Sequence, residues 1–445
     1  MDRLAHLDER LTNVPATQTR HVAVIGGGYA GMAAAVTLAQ HRIKVTVYEA
    51  GKILGGRARQ LSHPQLDTQL DNGQHLLLGA YQTTLALAQL VNPDAYTWLR
   101  LPLNLHTQGG LQLTAPKLPA PLNTLIALLT ARGISAAHRL AAIRFMLKHR
   151  VRGFQLAQDC SVVQLLTTQP KPLITLLWEP LCLAALNTPI ATASAQVFLN
   201  VLRDSLTRNK QDSDLIIPRV DLTALFPAPA ADYVRQHGGK VTTQHRVKQI
   251  AMHTSGGYRV DQYLHSDVIC AVAPHQAAAL ISNLPNLQSL NQQLTQLSYQ
   301  PITTIYLQYP PHVHLGRAMT GLTGTMAQWI FDRGISHKQH GLLAVVVSTA
   351  GPHSMLDHDT LAKRIADELH QAFAIPPTAI WHQVIVEKRA TFSCDTGLSR
   401  PDQRTPLANF YLAGDYTASD YPATLEAATQ SGVKCAHLIL ATHTH

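Results

Sequence analysis

The residues best placed to do chemistry begin with the run Gly26-Gly27-Gly28-Tyr29-Ala30-Gly31, which fits G-x-G-x-x-G. It follows a short β-branched strand, His21–Ile25, and opens an Ala-rich helical stretch, Ala30–Gln40. In such a turn Gly26 permits the tight bend and Gly28 lets backbone N–H groups approach a pyrophosphate. Gly31 lets the helix pack close to the strand. The helix N-terminus adds a partial positive charge. A second strand, Lys44–Tyr48, ends at Glu49, whose carboxylate can accept hydrogen bonds from ribose hydroxyls and disfavours a 2′-phosphate. Strand, helix, strand and acid in register predict a dinucleotide site.

Two further segments carry polar chemistry. Leu54-Gly55-Gly56-Arg57-Ala58-Arg59 comes soon after Glu49, and an NAD site needs nothing of this kind. Arg57 is the better phosphate or flavin contact of its two arginines, being a fixed planar donor. Near the other end of the chain, Phe410–Ala413 reads as a short strand followed by Gly414 and Asp415. Gly414 allows close backbone approach, and Asp415 can bond ribityl or phosphate-side hydroxyls. After Pro422, a helix over Thr424–His437 would point its N-terminus at a flavin pyrimidine ring, where its dipole favours negative charge on the reduced form. Two distant segments that suit different parts of FAD imply a chain folded back around one cofactor. No second G-x-G-x-x-G is present to bind a nicotinamide reductant.

The elements that must position these residues are helices and strands in alternation, an α/β pattern. Leu122–Arg152 reads as helical and basic-amphipathic, broken near Gly133. It suits either a lipid surface or an ordinary surface helix of a second domain. Leu173–Asn187, Ala195–Leu206, Leu222–His237 and Asp357–Phe373 read as helices. Lys240–Ile250, Val268–Val272, Ile302–Gln308 and Leu342–Val347 read as strands. The organisation expected is a flexible tail over 1–19, a discontinuous FAD-binding domain from 20–75, 215–285 and 395–445, and a substrate-binding domain from 76–214 and 286–394.

With 445 residues and 46% hydrophobic content the chain can build two intertwined domains. The net charge of +9 suits anionic surroundings, but no Lys/Arg block of the nucleic-acid kind occurs. Five scattered cysteines without a C-x-x-C point to a reduced, cytoplasmic setting. The histidines form no convincing metal-ligand spacing, so no metal is expected. The acid-bearing N-terminus is not a secretory signal. Nothing reaches the roughly 18 uninterrupted apolar residues of a spanning helix, which leaves peripheral contact with the inner membrane face as the strongest membrane role.

The chain resembles the two-dinucleotide-binding-domain flavoproteins of the amine oxidase and carotenoid desaturase superfamily, with a Rossmann-like FAD domain and an interleaved α+β substrate domain. In that superfamily the GGR segment, here Gly55-Gly56-Arg57, sits beside the pyrophosphate and flavin. Gly238-Gly239-x-Val241 with Val247-x-x-Ile250 resembles the strand that packs Val247 near the adenine. Within the superfamily the chain resembles the hydroxysqualene dehydroxylases, also called squalene-associated FAD-dependent desaturases. That resemblance rests on Leu70-Asp71-Asn72-Gly73-Gln74-His75 with Leu76–Tyr81, on Trp178-Glu179-Pro180-Leu181 with Ala184–Thr188, on Ser213–Phe226, and on Ala413–Gly432 with Tyr421-Pro422-Ala423-Thr424-Leu425-Glu426. It implies FAD-contacting roles for Gly73 and Thr424, a long-chain isoprenoid substrate, and the synthases of the squalene pathway as functional partners. The implied reaction converts hydroxysqualene and reduced FAD into squalene, water and oxidised FAD.

Such a reaction needs an acid for the leaving hydroxyl, a dry tunnel, and flavin N5 facing the receiving carbon. The apolar segments between Leu76 and Leu206 suit the tunnel. His75 is the first candidate acid, and Asp420 with Tyr421 the second. Trp178 and Trp329 could stabilise a cation through their faces, although packing is the commoner role. The flavin motifs alone would equally suit an oxidative phytoene-type desaturase, and the fold would suit a non-catalytic prenyl-lipid binding protein.

Overall fold

The computed structural model describes residues 20–62, 69–93, 97–254 and 256–442. The expected tail over 1–19 lies outside the described residues. Two five-stranded sheets and a helical layer enclose one large cavity.

The first sheet is parallel, in the order Lys240–Thr242, Lys44–Tyr48, His21–Ile25, Asp267–Cys270, Phe410–Leu412. Its central strands are apolar because helices cover both faces. Tyr29–Gln40 is buried along all but its last residue, which is why its sequence is Ala-rich rather than amphipathic. It is pressed between the sheet, helix Pro227–Gln236 and the C-terminal helix Leu425–Ala441. The last contact is very close. A Cβ built on Gly432 would lie 2.0 Å from the Ala30 carbonyl oxygen and 3.0 Å from the Ala34 nitrogen.

The second sheet is antiparallel, in the order Met319–Gly321, Trp329–Asp332, Leu342–Ser348, Tyr299–Gln308, Trp381–Phe392. Alternation splits it into two faces. Ile305, Val345 and Val384 pack under helix His358–Phe373, whereas Tyr306, Phe331 and Val346 face the other way, with Leu70 and Ile217. The register slips between Tyr299–Gln300 and Ile302, so that Lys388, Arg389 and Ala390 lie opposite Pro301. Proline has no N–H to lose from the ladder, so the bulge costs no bond there.

The helical layer comprises Leu122–Thr130, Ala136–Val151, Lys171–Leu186 and Ala195–Leu206, knit by Phe145, Trp178 and Phe198. Gly133, at φ +84°, makes the predicted break in the first stretch. The Trp178 indole N–H donates to Gln169 Oε1 at 3.2 Å, and its ring sits 4.8 Å from Phe145.

Several elements differ from their sequence reading or have no counterpart in it, and three of them show why. Leu222–His237 is two helices, because Phe226 leaves helical geometry before Pro227. Lys240–Ile250 is a strand only at its two ends, Lys240–Thr242 and the start of Ile250–Met252. Between them Gln244 N–H donates to Gly51 and His245 N–H to Glu49, tying the segment to the end of the second strand. The long strand Trp381–Phe392 has no counterpart in the sequence reading, since its burial does not alternate cleanly.

Gly432→Val should cost about 3 kcal/mol of stability in chemical denaturation and loosen cofactor retention, because a branched side chain must separate two packed backbones. Unchanged stability would show that the two helices can part without consequence.

A candidate flavin site

The dinucleotide end is built from three backbone turns. Gly26, at φ +111°, donates its N–H to the Tyr48 carbonyl at 2.8 Å and so closes the turn between strand and helix. Glu49 is fixed by two backbone donors, Gly27 N–H at 2.7 Å and Gly51 N–H at 2.6 Å. Gly55 N–H donates to the Gly27 carbonyl at 2.9 Å, which lays the GGR segment along the glycine turn. Gly55 and Gly56 both have positive φ, at +116° and +62°, a conformation that side-chain-bearing residues rarely adopt.

Arg57 joins the two ends of the chain. Its guanidinium donates to Asp415 Oδ1 at 2.6 Å and to the Ala390 carbonyl at 2.7 Å. Burial alone would weaken its charge, but Asp415 and Glu387 outweigh that, and its pKa is raised. Asn72 Nδ2 donates to the Arg57 carbonyl at 3.1 Å and to Glu387 Oε2 at 3.0 Å. The segment before His75 is held from beneath. Asp71 accepts from Leu222 N–H at 2.9 Å and lies 3.5 Å from the Arg333 guanidinium. Arg333 is 1% exposed and also donates to Gln74 Oε1 at 2.8 Å. Burial pushes the Asp71 carboxyl up to about 6, against the pull of Arg333 and of the Leu222 amide.

At the other end, Gly414 N–H donates to Ser431 Oγ at 2.8 Å. The Tyr416 ring lies against Gly414, where a Cβ would approach it to 2.3 Å. Thr424 is the N-cap of Leu425–Ala441, its hydroxyl accepting from Ala427 N–H. Glu426 turns away from the site. Its carboxylate accepts from Thr83 N–H at 3.0 Å, Thr84 N–H at 2.9 Å and the Thr84 hydroxyl at 2.8 Å. It thereby caps helix Gln82–Val91 from outside that helix.

These segments meet on one cavity of about 1400 Å³. Gly26, Gly28, Glu49, Gly56, Arg57, Gly73, His75, Val247, Gly414, Asp415, Tyr421 and Thr424 all line it. Two residues proposed from sequence do not. Gly31 serves packing, since a Cβ there would fall 1.9 Å from the Gly26 carbonyl oxygen. The Asp420 side chain is 70% exposed and pairs with Arg203 at 3.3 Å.

His75 and Tyr421 hold different positions on the wall. His75 Nδ1 lies 2.7 Å from the Gly73 carbonyl, which can only accept, so Nδ1 carries a proton and Nε2 is left for the cavity. Burial, and secondarily Arg57, lower its pKa; the Gly73 bond opposes them. Tyr421 is raised by burial and by Asp204, to which its phenol is hydrogen-bonded. Asp204 also takes two bonds from Arg203, at 2.7 and 3.1 Å, and an ion pair from Arg208 at 3.0 Å. Arg333, Glu387 and Asp204 were not singled out from the sequence. Arg333 and Glu387 act on Asp71, Gln74 and Asn72 from more than two hundred residues away, and Asp204, though locally paired with Arg203 and Arg208, reaches the site only through the distant Tyr421, so no local motif marks them.

The cavity fits a dinucleotide and leaves room beyond it. Its volume exceeds the roughly 300–1,000 Å³ of a site for one drug-sized ligand. The Tyr299 and Tyr416 hydroxyls, both buried on its wall, have no hydrogen-bond partner among the described residues, as expected of groups completed by a polar ligand. The wall also carries a large apolar part, with Leu128, Met146, Leu177, Trp178, Phe198 and Leu202 on the helical side and Trp329 and Val346 on the sheet side.

The family model for flavin containing amine oxidoreductases matches residues 29–440. A hydroxysqualene dehydroxylase from Rhodopseudomonas palustris is 30% identical, over 95% of this chain and 99% of its own length. One from Zymomonas mobilis is 28% identical, over 94% and 98%. Among solved structures, cyclohexylamine oxidase from Brevibacterium oxydans has the same fold, with a TM-score of 0.70 at 15% identity over 96% of this chain and 100% of its own. The chain therefore belongs to the flavin containing amine oxidoreductase family, within its hydroxysqualene dehydroxylases, and FAD is its cofactor.

Proposed function

We propose that the chain removes the hydroxyl of hydroxysqualene reductively, giving squalene and water, in bacterial squalene and hopanoid synthesis. The observation that carries this reading is one cavity lined together by the turns that suit FAD, by His75 and by an apolar set from the helical layer and the antiparallel sheet. The names of the relatives supply the substrate. When bound, reduced FAD supplies the hydride that replaces the hydroxyl.

The protein's own residues supply the rest. His75 is the acid. Its Nδ1–H bond to Gly73 fixes the ring, and Nε2 delivers the proton to the leaving oxygen. A depressed pKa makes the imidazolium a stronger acid, which suits a poor leaving group such as hydroxide. Leu, Phe and Trp side chains of the helical layer exclude water from the allylic cation that loss of water leaves. Trp178 and Trp329 present aromatic surface on that wall. Arg57, paired with Asp415, holds the pyrophosphate and ribityl side of the cofactor, and Val247 the adenine. Tyr421 and Asp420, engaged with Asp204 and Arg203, clamp the segment before the C-terminal helix. The FAD-binding unit is taken to comprise 20–75, 215–285 and 395–445, and the substrate unit the intervening chain. No helix among the described residues is long and apolar enough to cross a membrane. We place the protein in the cytoplasm, at the inner membrane face, handing on the product of the squalene-pathway synthases.

Anaerobic reduction of the bound flavin followed by hydroxysqualene should reoxidise it and yield one squalene per flavin. Reoxidation absent with hydroxysqualene, or phytoene oxidised by the oxidised enzyme instead, would move the protein to the desaturases. His75→Gln should keep FAD and lose about 10²–10⁴ in kcat. In the wild type kcat/KM should rise as pH falls below 6.5, because lowering of the His75 pKa puts its charged form on the acid side. That limb should vanish in the variant, and a wild-type profile flat from pH 5 to 8 would remove His75 as the acid.

A further inference from the structure

The charge of this chain is not spread over it. Residues 95–158 contain eight Lys and Arg and no Asp or Glu, leaving 28 cations against 27 acids in all the rest. Nearly the whole excess of +9 therefore sits in one stretch, and six of its eight cations, from Arg132 to Arg152, lie on or directly beside the helix pair Leu122–Thr130 and Ala136–Val151.

Each helix of the pair has two distinct faces. On Ala136–Val151, Ala142, Phe145, Met146 and His149 are buried. The opposite stripe, Leu140, Arg144, Leu147, Lys148 and Val151, is exposed at helical spacing, with Val151 at 89%. On Leu122–Thr130, Thr124 and Leu128 face inward while Leu122 and Leu129 are exposed, Leu129 at 58%. Arg139 reaches back to the Leu129 carbonyl at 3.3 Å and ties the two helices together. Isolated exposed leucines need no explanation, but these cluster among Arg132, Arg144, Arg150 and Arg152 with no acid between.

From this we infer that the helix pair 122–151 is a monotopic docking face for an anionic lipid bilayer, its leucines and Val151 entering the headgroup boundary and its arginines and Lys148 meeting lipid phosphates. Cations interleaved with large aliphatic side chains on one helix stripe match that surface. Nucleic acid would call for cations and stacking aromatics instead, and the exposed stripe carries no aromatic. The inner faces of the same two helices, at Thr124, Leu128 and Met146, line the cavity. One layer of helix thus separates the bilayer from the apolar end of the site. The inference deepens the isoprenoid reading, because a substrate of that class is dissolved in the bilayer and would pass to the cavity without crossing water.

The test uses the full-length holoenzyme and sedimentation with vesicles. Phosphatidylcholine vesicles with about 30% phosphatidylglycerol should pull the protein down, pure phosphatidylcholine should bind it at least about tenfold less, and salt should weaken the binding. Arg144→Gln/Lys148→Gln/Arg150→Gln should lose about tenfold or more in affinity, as should Leu140→Ser/Leu147→Ser/Val151→Ser. Lys363→Gln/Arg364→Gln, on the exposed face of a remote helix, should bind as wild type. Flavin content and near-ultraviolet dichroism check that each variant is folded. Failure of the wild type to bind, equal loss in the remote variant, or binding of RNA in place of vesicles overturns the inference. Turnover of hydroxysqualene in detergent micelles separates the two readings. Both patch variants should keep it, and its absence in a wild type that binds vesicles would refute the reaction and leave the docking face standing.

Discussion

The architecture depends on one close approach, between the first helix and the last. Gly432 allows the C-terminal helix to touch the backbone of Tyr29–Gln40 at Ala30 and Ala34, and small residues at Ala30, Ala33 and Ala34 on the facing helix make that distance possible. The consequence is geometric. The glycine turn at residues 26–31 and the Gly414–Asp415 turn sit at the ends of parallel strands on either side of Asp267–Cys270. Locking their following helices together fixes the gap between two loops that are nearly four hundred residues apart in sequence. Since the binding surface is divided between the chain's ends, its geometry exists only in the folded state.

Two polar arrangements, one half-buried and one buried, carry this rigidity to the functional groups. Arg57 with Asp415 spans the gap directly. Arg333, inside the antiparallel sheet unit, reaches under Asp71 and Gln74 and positions the run that ends at His75. A fully buried guanidinium is costly unless paired and hydrogen-bonded, and here its partners are two side chains of that run together with Gln339. The Tyr306 ring beneath it adds a further contact at 5.6 Å. His75 therefore owes its position to the antiparallel sheet as much as to the parallel one.

The sequence made the nucleotide end legible because each requirement there is local: a positive φ, a strand end, a helix start. The same holds for helix boundaries such as Asp357 and Ser194, whose side chains cap the helices that follow them. What stayed hidden depends on distance. Glu426 belongs to a motif readable in sequence, yet its carboxylate serves Thr83 and Thr84, more than three hundred residues away. Asp420 stands beside Tyr421 in sequence, but the turn carries its side chain outward to Arg203. The strand Trp381–Phe392 escaped because one edge lines a cavity and interrupts the alternation that marks a half-buried strand.

The bulge opposite Pro301 has a meaning for how such enzymes diversify. Lys388, Arg389 and Ala390 project into the cavity from a place where the ladder is already interrupted. Of the three side chains only that of Arg389 reaches across to the paired strand, lying 5.6 Å from the Tyr299 ring, so those of Lys388 and Ala390 can change without disturbing a register pair. A family that keeps the cofactor fixed while varying what it acts upon needs positions of this kind, where selection on substrate is uncoupled from selection on folding.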